Sequence, residues 1–322
     1  MRVALVLGSG GARGYAHIGV IDALRERGFD IVGISGSSMG ALVGALQAAD
    51  KLDEFTTWAS ALTQSAVLRL LDPSLTAAGV LRAEKILATV REIIGPRNIE
   101  SLPIPYTAVS TDLIAGKSVW LQRGPIDAAI RASIAIPGVI APHLLDGRLL
   151  ADGGILDPLP MAPLAAVNAD LTIAVSLNAS DPAPPADSPS ATAELLARMR
   201  RSTTSLIDRA AASTLLDGPT ARSVLTRFSN AVDSIDHVAD PDVDTEDDNP
   251  VPRLGGFEVM NRTIEISQAA LMRHTLAAYP PDLLIEVPRT VCRSLEFYRA
   301  EEVIEIGHEL ACAAIDSLNL GG

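Results

Sequence analysis

Two hydrophobic periods alternate along the first fifty residues. Arg2 to Leu7 is a short apolar run closed by glycine, the pattern of a strand buried on both faces. "YAHIGVIDALRERG" follows with apolar residues at helical spacing and stops on Gly28, a residue suited to a helix C-terminus. "FDIVGIS" is a second buried strand, and "MGALVGALQAADK" returns to the helical period. The order is strand, Gly-rich loop, helix, strand, elbow, helix.

Further apolar runs over 105–111, 118–121, 170–177 and 282–287 read as strands. Helical spacing covers 52–64, 83–94, 125–134, 192–216, 257–278 and 294–318. Strands that alternate with helices imply an α/β fold with a mainly parallel sheet covered on both faces. "NASDPAPPADSPS", 178–190, is a linker composition, and 231–250 carries eight acids without Lys or Arg. Residues 178–255 therefore read as an insertion made of linker, one helix and a solvated acidic tract. Arg198, Arg200, Arg201 and Arg209 on that helix suit a lid or a membrane-facing element as well as a plain solvated face.

Composition narrows the classes. With 322 residues, 48% of them hydrophobic, the chain has ample material for a core. Net charge is −13, from 26 basic and 39 acidic residues, which argues against nucleic acid as a partner. Cys292 and Cys312 form neither a disulfide framework nor a metal pattern, so the cytoplasm is the expected compartment. The first apolar stretch is too short for a signal peptide, and no window approaches the ~18 apolar residues of a membrane span. A soluble or peripheral protein is expected.

Candidate chemistry begins at "GISGSSMGAL", 33–42, where only Ser38 satisfies Gly-x-Ser-x-Gly, through Gly36 and Gly40. A strand-to-helix elbow needs small residues around a nucleophile, and the helix that follows presents its positive end to a developing oxyanion. The glycine loop "GSGGARG", 8–14, exposes backbone N–H groups beside Arg13, as an oxyanion hole or a pyrophosphate cradle would. A dinucleotide site also wants an acid at the far end of the second strand, and Asp30 falls at its start instead. Asp152, in "LLADGGILDPLP", reads either as an Asp-Gly-Gly turn or as the base that a neutral serine needs. Of the five histidines His17, His143, His237, His274 and His308, none stands in a motif, so a Ser/Asp pair is the simpler account.

Together these stretches resemble the patatin-like phospholipase family. The correspondence rests on Gly10-Gly11-Ala12-Arg13-Gly14, on Gly36-Ser37-Ser38-Met39-Gly40 about 25 residues later, and on Asp152-Gly153-Gly154. "ASIAIPGVIAP", 132–142, is similar to the stretch before the aspartate in bacterial members, and 280–309 to their C-terminal ends. The resemblance implies a single three-layer α/β/α domain over 1–322, with the insertion at about 178–255 and a terminal helix at about 294–318. It implies Ser38 as nucleophile and Asp152 as base. Gly10 and Gly11 would supply the oxyanion hole, Arg13 and Gly14 would belong to the same loop, and Gly36 and Gly40 would form the elbow. The expected activity is hydrolysis of a fatty-acyl ester or phospholipid through an acyl-enzyme, without metal or cofactor, by a cytoplasmic protein that can contact the inner face of the membrane. An acyltransferase using the same acyl-enzyme and a non-catalytic lipid-binding regulator are the alternatives; nothing in the sequence sets the oligomeric state.

Overall fold

The computed structural model describes residues 1–70, 84–179 and 256–318. The helix expected at 192–216 and the acidic tract lie outside these residues. The chain divides into two compact units, residues 1–181 with 265–322, and residues 182–264.

The first unit is built on an eight-stranded sheet. Its strands are β1 (Arg2–Leu7), β2 (Asp30–Ser37), β3 (Tyr106–Asp112), β4 (Lys117–Leu121), β5 (His143–Leu145), β6 (Arg148–Asp152), β7 (Leu171–Ala179) and β8 (Leu283–Pro288). The order is β5-β6-β3-β2-β1-β7-β8, with β4 paired to β3. The pairs β1/β2, β1/β7, β2/β3 and β7/β8 are parallel. Every residue of β3, and every residue of β1 after Arg2, is buried. Burial on both faces is why β1 reads as an unbroken apolar run, whereas β3 also buries Thr107, Ser110, Thr111 and Asp112.

Helices cover both faces: α1 (Ala16–Glu26), α2 (Met39–Ala48), α3 (Leu52–Ser60), α4 (Gln64–Leu70), α5 (Glu84–Ile94), α6 (Ile126–Ser133), α7 (Gly256–Ala278) and α8 (Ala300–Ser317). Leu7 and Ile34 face Gly44 of α2. Ala4, Val6 and Ala174 face the other way, onto Leu159, Met161, Leu164 and Met272 of α7. Helices α1 and α8 lie close because Gly19 meets the Ile304 carbonyl and Gly307 meets the Ala16 carbonyl, positions where a Cβ would collide with backbone. The result is a three-layer α/β/α arrangement, as expected.

Two expectations need correction, and one element was not expected. The helix read over 52–64 breaks after Ser60, because the Thr63 hydroxyl accepts from the Ala66 N–H and starts α4. The helix read from 294 begins at Ala300, after a 3-10 turn at Phe297–Arg299. The sequence reading places no element over 143–151, where the structure has the hairpin β5–β6: Asp146 and Gly147 take φ 50° and 75°, the paired positive values of a tight hairpin turn. One end of the sheet is therefore antiparallel: β4, β3, β6 and β5 run alternately there.

Candidate active site

Ser38 lies between the end of β2 and the start of α2 with φ 55° and ψ −122°, a backbone conformation rare for a residue with a Cβ. The strain is held by close packing on both sides. A Cβ at Gly36 would strike the Gly40 carbonyl, and one at Gly40 would strike the Leu7 carbonyl. The Ser38 N–H donates to Ser133 Oγ at 2.9 Å, and that hydroxyl donates to the Val109 carbonyl at 2.6 Å.

The Ser38 hydroxyl donates to Asp152 Oδ2 at 2.5 Å. The other carboxylate oxygen, Oδ1, accepts from the Gly154 N–H at 2.7 Å, and the Asp152 N–H donates to the Ala135 carbonyl at 3.0 Å. Both residues are only 4% exposed. Burial pushes the Asp152 carboxyl up to about 6, against the opposing pull of the Ser38 and Gly154 hydrogen bonds.

Strand β3 brings these residues together across 114 positions of sequence. Along one edge of β3, Tyr106 to Val109 pair with Ile34 to Ser37 of β2. Ser110 to Asp112 pair with Asp152 to Leu150 of β6, running antiparallel. The ends of β2 and β6 thus meet head to head at the Val109/Ser110 junction. Ser38 leaves from one of those ends and Asp152 closes the other.

The glycine loop passes beside this junction. Its ends are pinned by Ser9 N–H to the Pro158 carbonyl at 2.9 Å and by Ala12 N–H to the Ser294 carbonyl at 2.9 Å. Between these pins the N–H groups of Gly10 and Gly11 make no hydrogen bond among the described residues. Gly10 has φ 170° and ψ 19°, and a Cβ there would collide with the Leu177 side chain. Gly11 has φ +58°, and a Cβ there would run into the Ser294 carbonyl. Gly14 packs against the Met39 side chain, which seats the loop on the first residue of α2.

Arg13, expected as a cation in the loop, is buried and faces outward from it as a tie. Its Nη2 donates to Asn178 Oδ1 at 3.4 Å and to Glu265 Oε1 at 3.2 Å, linking the loop to β7 and α7. His17 lies wholly buried beneath the loop, with Nε2 donating to the Gly8 carbonyl at 2.8 Å. Burial lowers its pKa to about 4, so it is neutral at physiological pH. No histidine among the described residues hydrogen-bonds to Ser38 or Asp152.

An apolar cavity opens on Ser38. It is lined by Gly11 and Met39 near the serine and by Phe55, Trp58, Val67 and Ile140 further in. No charged side chain lines it, so it suits a hydrocarbon chain. Sequence reasoning missed Ser133, Asn178, Glu265 and this lining. Replacing Ser133 by alanine removes the acceptor of the Ser38 N–H and the donor to Val109. Stability should fall by about 1–2 kcal/mol in urea denaturation and ester turnover by about tenfold. Unchanged values in both would show that the elbow does not depend on this hydroxyl.

The fold and this pairing define a class, a three-layer α/β/α protein with a serine on a strand-to-helix elbow. The patatin-like phospholipase family model matches residues 5–165. The chain belongs to this family. An uncharacterized NTE family protein of Mycobacterium tuberculosis is 67% identical over 333 residues, covering 99% of this chain and 92% of that protein. The human patatin-like phospholipase domain-containing protein 6 is 32% identical over 186 residues, covering 56% of this chain but only 14% of its own length. Neuropathy target esterase sws of Drosophila persimilis is 36% identical over 165 residues, or 49% of this chain and 11% of that protein. Members of the family are typically lipid acyl hydrolases. Among the described residues no group of His, Cys, Asp or Glu is placed to hold a metal ion, and no helix is long and apolar enough to cross a membrane.

Proposed function

We propose that the chain is a serine lipid acyl hydrolase, an esterase of phospholipase A type, working through a Ser38–Asp152 dyad and a covalent acyl-enzyme. The observation that carries this reading is the 2.5 Å hydrogen bond from Ser38 Oγ to Asp152 Oδ2 at the wall of an apolar cavity. The names of the relatives, phospholipase and esterase, agree with it.

In this mechanism the acyl chain occupies the cavity and brings its ester carbonyl to Ser38. Asp152 takes the hydroxyl proton as Oγ attacks, and the carbonyl oxygen becomes an oxyanion. The N–H groups of Gly10 and Gly11 donate to it, aided by the N-terminal end of α2. The proton passes to the departing alcohol as the C–O bond breaks, leaving the acyl group on Oγ. Water, deprotonated by Asp152, then attacks the acyl-enzyme and releases the fatty acid with Ser38 restored. Arg13, held by Asn178 and Glu265, keeps the glycine loop in place.

A fluorophosphonate probe tests this directly. Mass spectrometry should place its adduct on Ser38, with slower labelling in Asp152→Asn. An adduct at another serine, or none in folded protein, would overturn the assignment.

A further inference from the structure

The N–H of Ser9 pins the start of the glycine loop, but its hydroxyl takes no part in that contact. The residue is 2% exposed, and Oγ has no hydrogen-bond partner among the described residues. An unpaired hydroxyl in the interior is costly, so it is satisfied by a small polar molecule or kept for use.

Two residues fix where this hydroxyl points. A Cβ placed on Gly154 would stand 2.6 Å from Ser9 Oγ and 2.7 Å from the amide nitrogen of Gln268. Both are hydrogen-bonding distances, so the bare face of Gly154 leaves a recess bordered by a hydroxyl and an amide. Gln268 is brought there by α7. Glu265, one turn before it, accepts from Arg13 at 3.2 Å, and Met272, one turn after it, accepts through Sδ from Ser176 Oγ at 3.0 Å. All three lie on the face of α7 turned to the sheet. Gln268 is half-buried while Ser9 and Gly154 are buried, so the recess reaches outward along the amide.

The recess adjoins the dyad from the side away from the hydrocarbon. The Gly154 N–H is the group that holds Asp152 Oδ1 at 2.7 Å, and Ser9 directly precedes the unpaired N–H groups of Gly10 and Gly11. The apolar cavity is lined by Gly11, Ser38 and Met39, but by none of Ser9, Gly154 and Gln268. An ester at Ser38 has an acyl side and an oxygen side. With the acyl side in the apolar cavity, the alcohol leaves toward the polar side, and by microscopic reversibility the water enters where the alcohol left.

We infer that Ser9 Oγ and the Gln268 amide hold the water that hydrolyses the acyl-enzyme. The amide N–H donates to the water oxygen, and the water donates one hydrogen to Ser9 Oγ and the other to Asp152. As Asp152 takes that proton, the water oxygen bonds to the acyl carbon. The bond from the acyl carbon to Ser38 Oγ then breaks, and the proton passes to Oγ. Ser9 and Gln268 therefore act on the second half of the reaction. This rests on the acyl-enzyme reading, and the test separates the two.

The half-reactions are timed separately with p-nitrophenyl butyrate in wild type, Ser9→Ala and Gln268→Ala. The burst of p-nitrophenolate reports acylation, and the decay of butyryl mass on Ser38 in acid-quenched samples reports deacylation. In Ser9→Ala the decay should slow about tenfold, the effect of one hydrogen bond to the reacting water, while the burst changes by less than about threefold. Acylated Ser38 then accumulates, and Gln268→Ala should show the same split. The urea midpoint of Ser9→Ala should not fall, because its hydroxyl has no protein partner to lose. Equal slowing of both steps would overturn the inference, since Ser9 would then only shape the oxyanion loop. So would acyl loss at the wild-type rate in either variant. Wild type that never gains butyryl mass on Ser38 would overturn the hydrolase reading and this inference with it.

Discussion

Replacing Asp152 by asparagine is expected to lower kcat by about 10³-fold while leaving the protein at least as stable at pH 7 to 8. The Gly154 N–H needs an acceptor, so the asparagine carbonyl takes the place of Oδ1 and the amide Nδ2 faces Ser38. That amide donates to Oγ and accepts no proton. The nucleophile keeps its hydrogen, and the elbow geometry remains.

The stability half follows from the direction of the pKa shift. Burial raises the folded carboxyl to about 6 from an ordinary 3.8, so the unfolded chain ionises at lower pH than the folded one. Between these values stability declines as pH rises, and above 6 the folded protein carries the whole penalty of a buried charge. The asparagine variant carries none. Its advantage should reach about 1–3 kcal/mol at pH 7 to 8, reduced by the weaker hydrogen bonds of a neutral group, and should vanish near pH 4. Wild-type kcat/KM should fall on the acid side with a midpoint near 6, where Asp152 gains its proton. Chemical denaturation at several pH values and a pH–rate profile provide both readings. An asparagine variant that turns over normally would remove Asp152 from the mechanism.

The second large effect is expected at Gly11. Alanine there would meet the Ser294 carbonyl in a left-handed conformation that disfavours any Cβ. Ser294 cannot give way freely, because its carbonyl accepts the Ala12 N–H that pins the loop. The loop must move, and with it the unpaired N–H groups of Gly10 and Gly11. Turnover should fall about 10²- to 10³-fold with KM little changed, the size of losing an oxyanion donor. Gly28→Ala is the control: φ is +70°, but nothing lies within 4 Å of the added Cβ. It should lose about 1 kcal/mol of stability through backbone strain and no activity. Equal effects of the two on turnover would show that the glycine loop is not part of the chemistry.

The serine elbow and glycine loop were legible because their requirements are local. A tight turn excludes side chains within two residues of itself, so Gly36 and Gly40 mark Ser38 without knowledge of the rest of the fold. The parallel strands were legible because burial on both faces leaves a run of apolar residues. Ser133 was not legible, since it reaches the Ser38 N–H from 95 residues away and nothing beside it marks a partner. Asn178 and Glu265 were hidden for the same reason, as they meet Arg13 across 165 and 252 residues. The β5–β6 hairpin was different: its Asp146-Gly147 signal stood between apolar pairs.

Because one edge of β3 holds the ends of both β2 and β6, the separation of Ser38 from Asp152 is set by a single strand acting as a ruler. Chain length between residues 39 and 105, or between 122 and 147, does not enter that separation. Insertions and deletions in those intervals leave the pair untouched only where they spare α2 and the 133–135 stretch, whose Ser133 and Ala135 hold the Ser38 and Asp152 N–H groups. One residue added inside 106–112 or 148–152 would instead turn every following side chain to the opposite face of the sheet. The twelve ruled positions of β3 and β6 must therefore keep their number for Ser38 and Asp152 to meet.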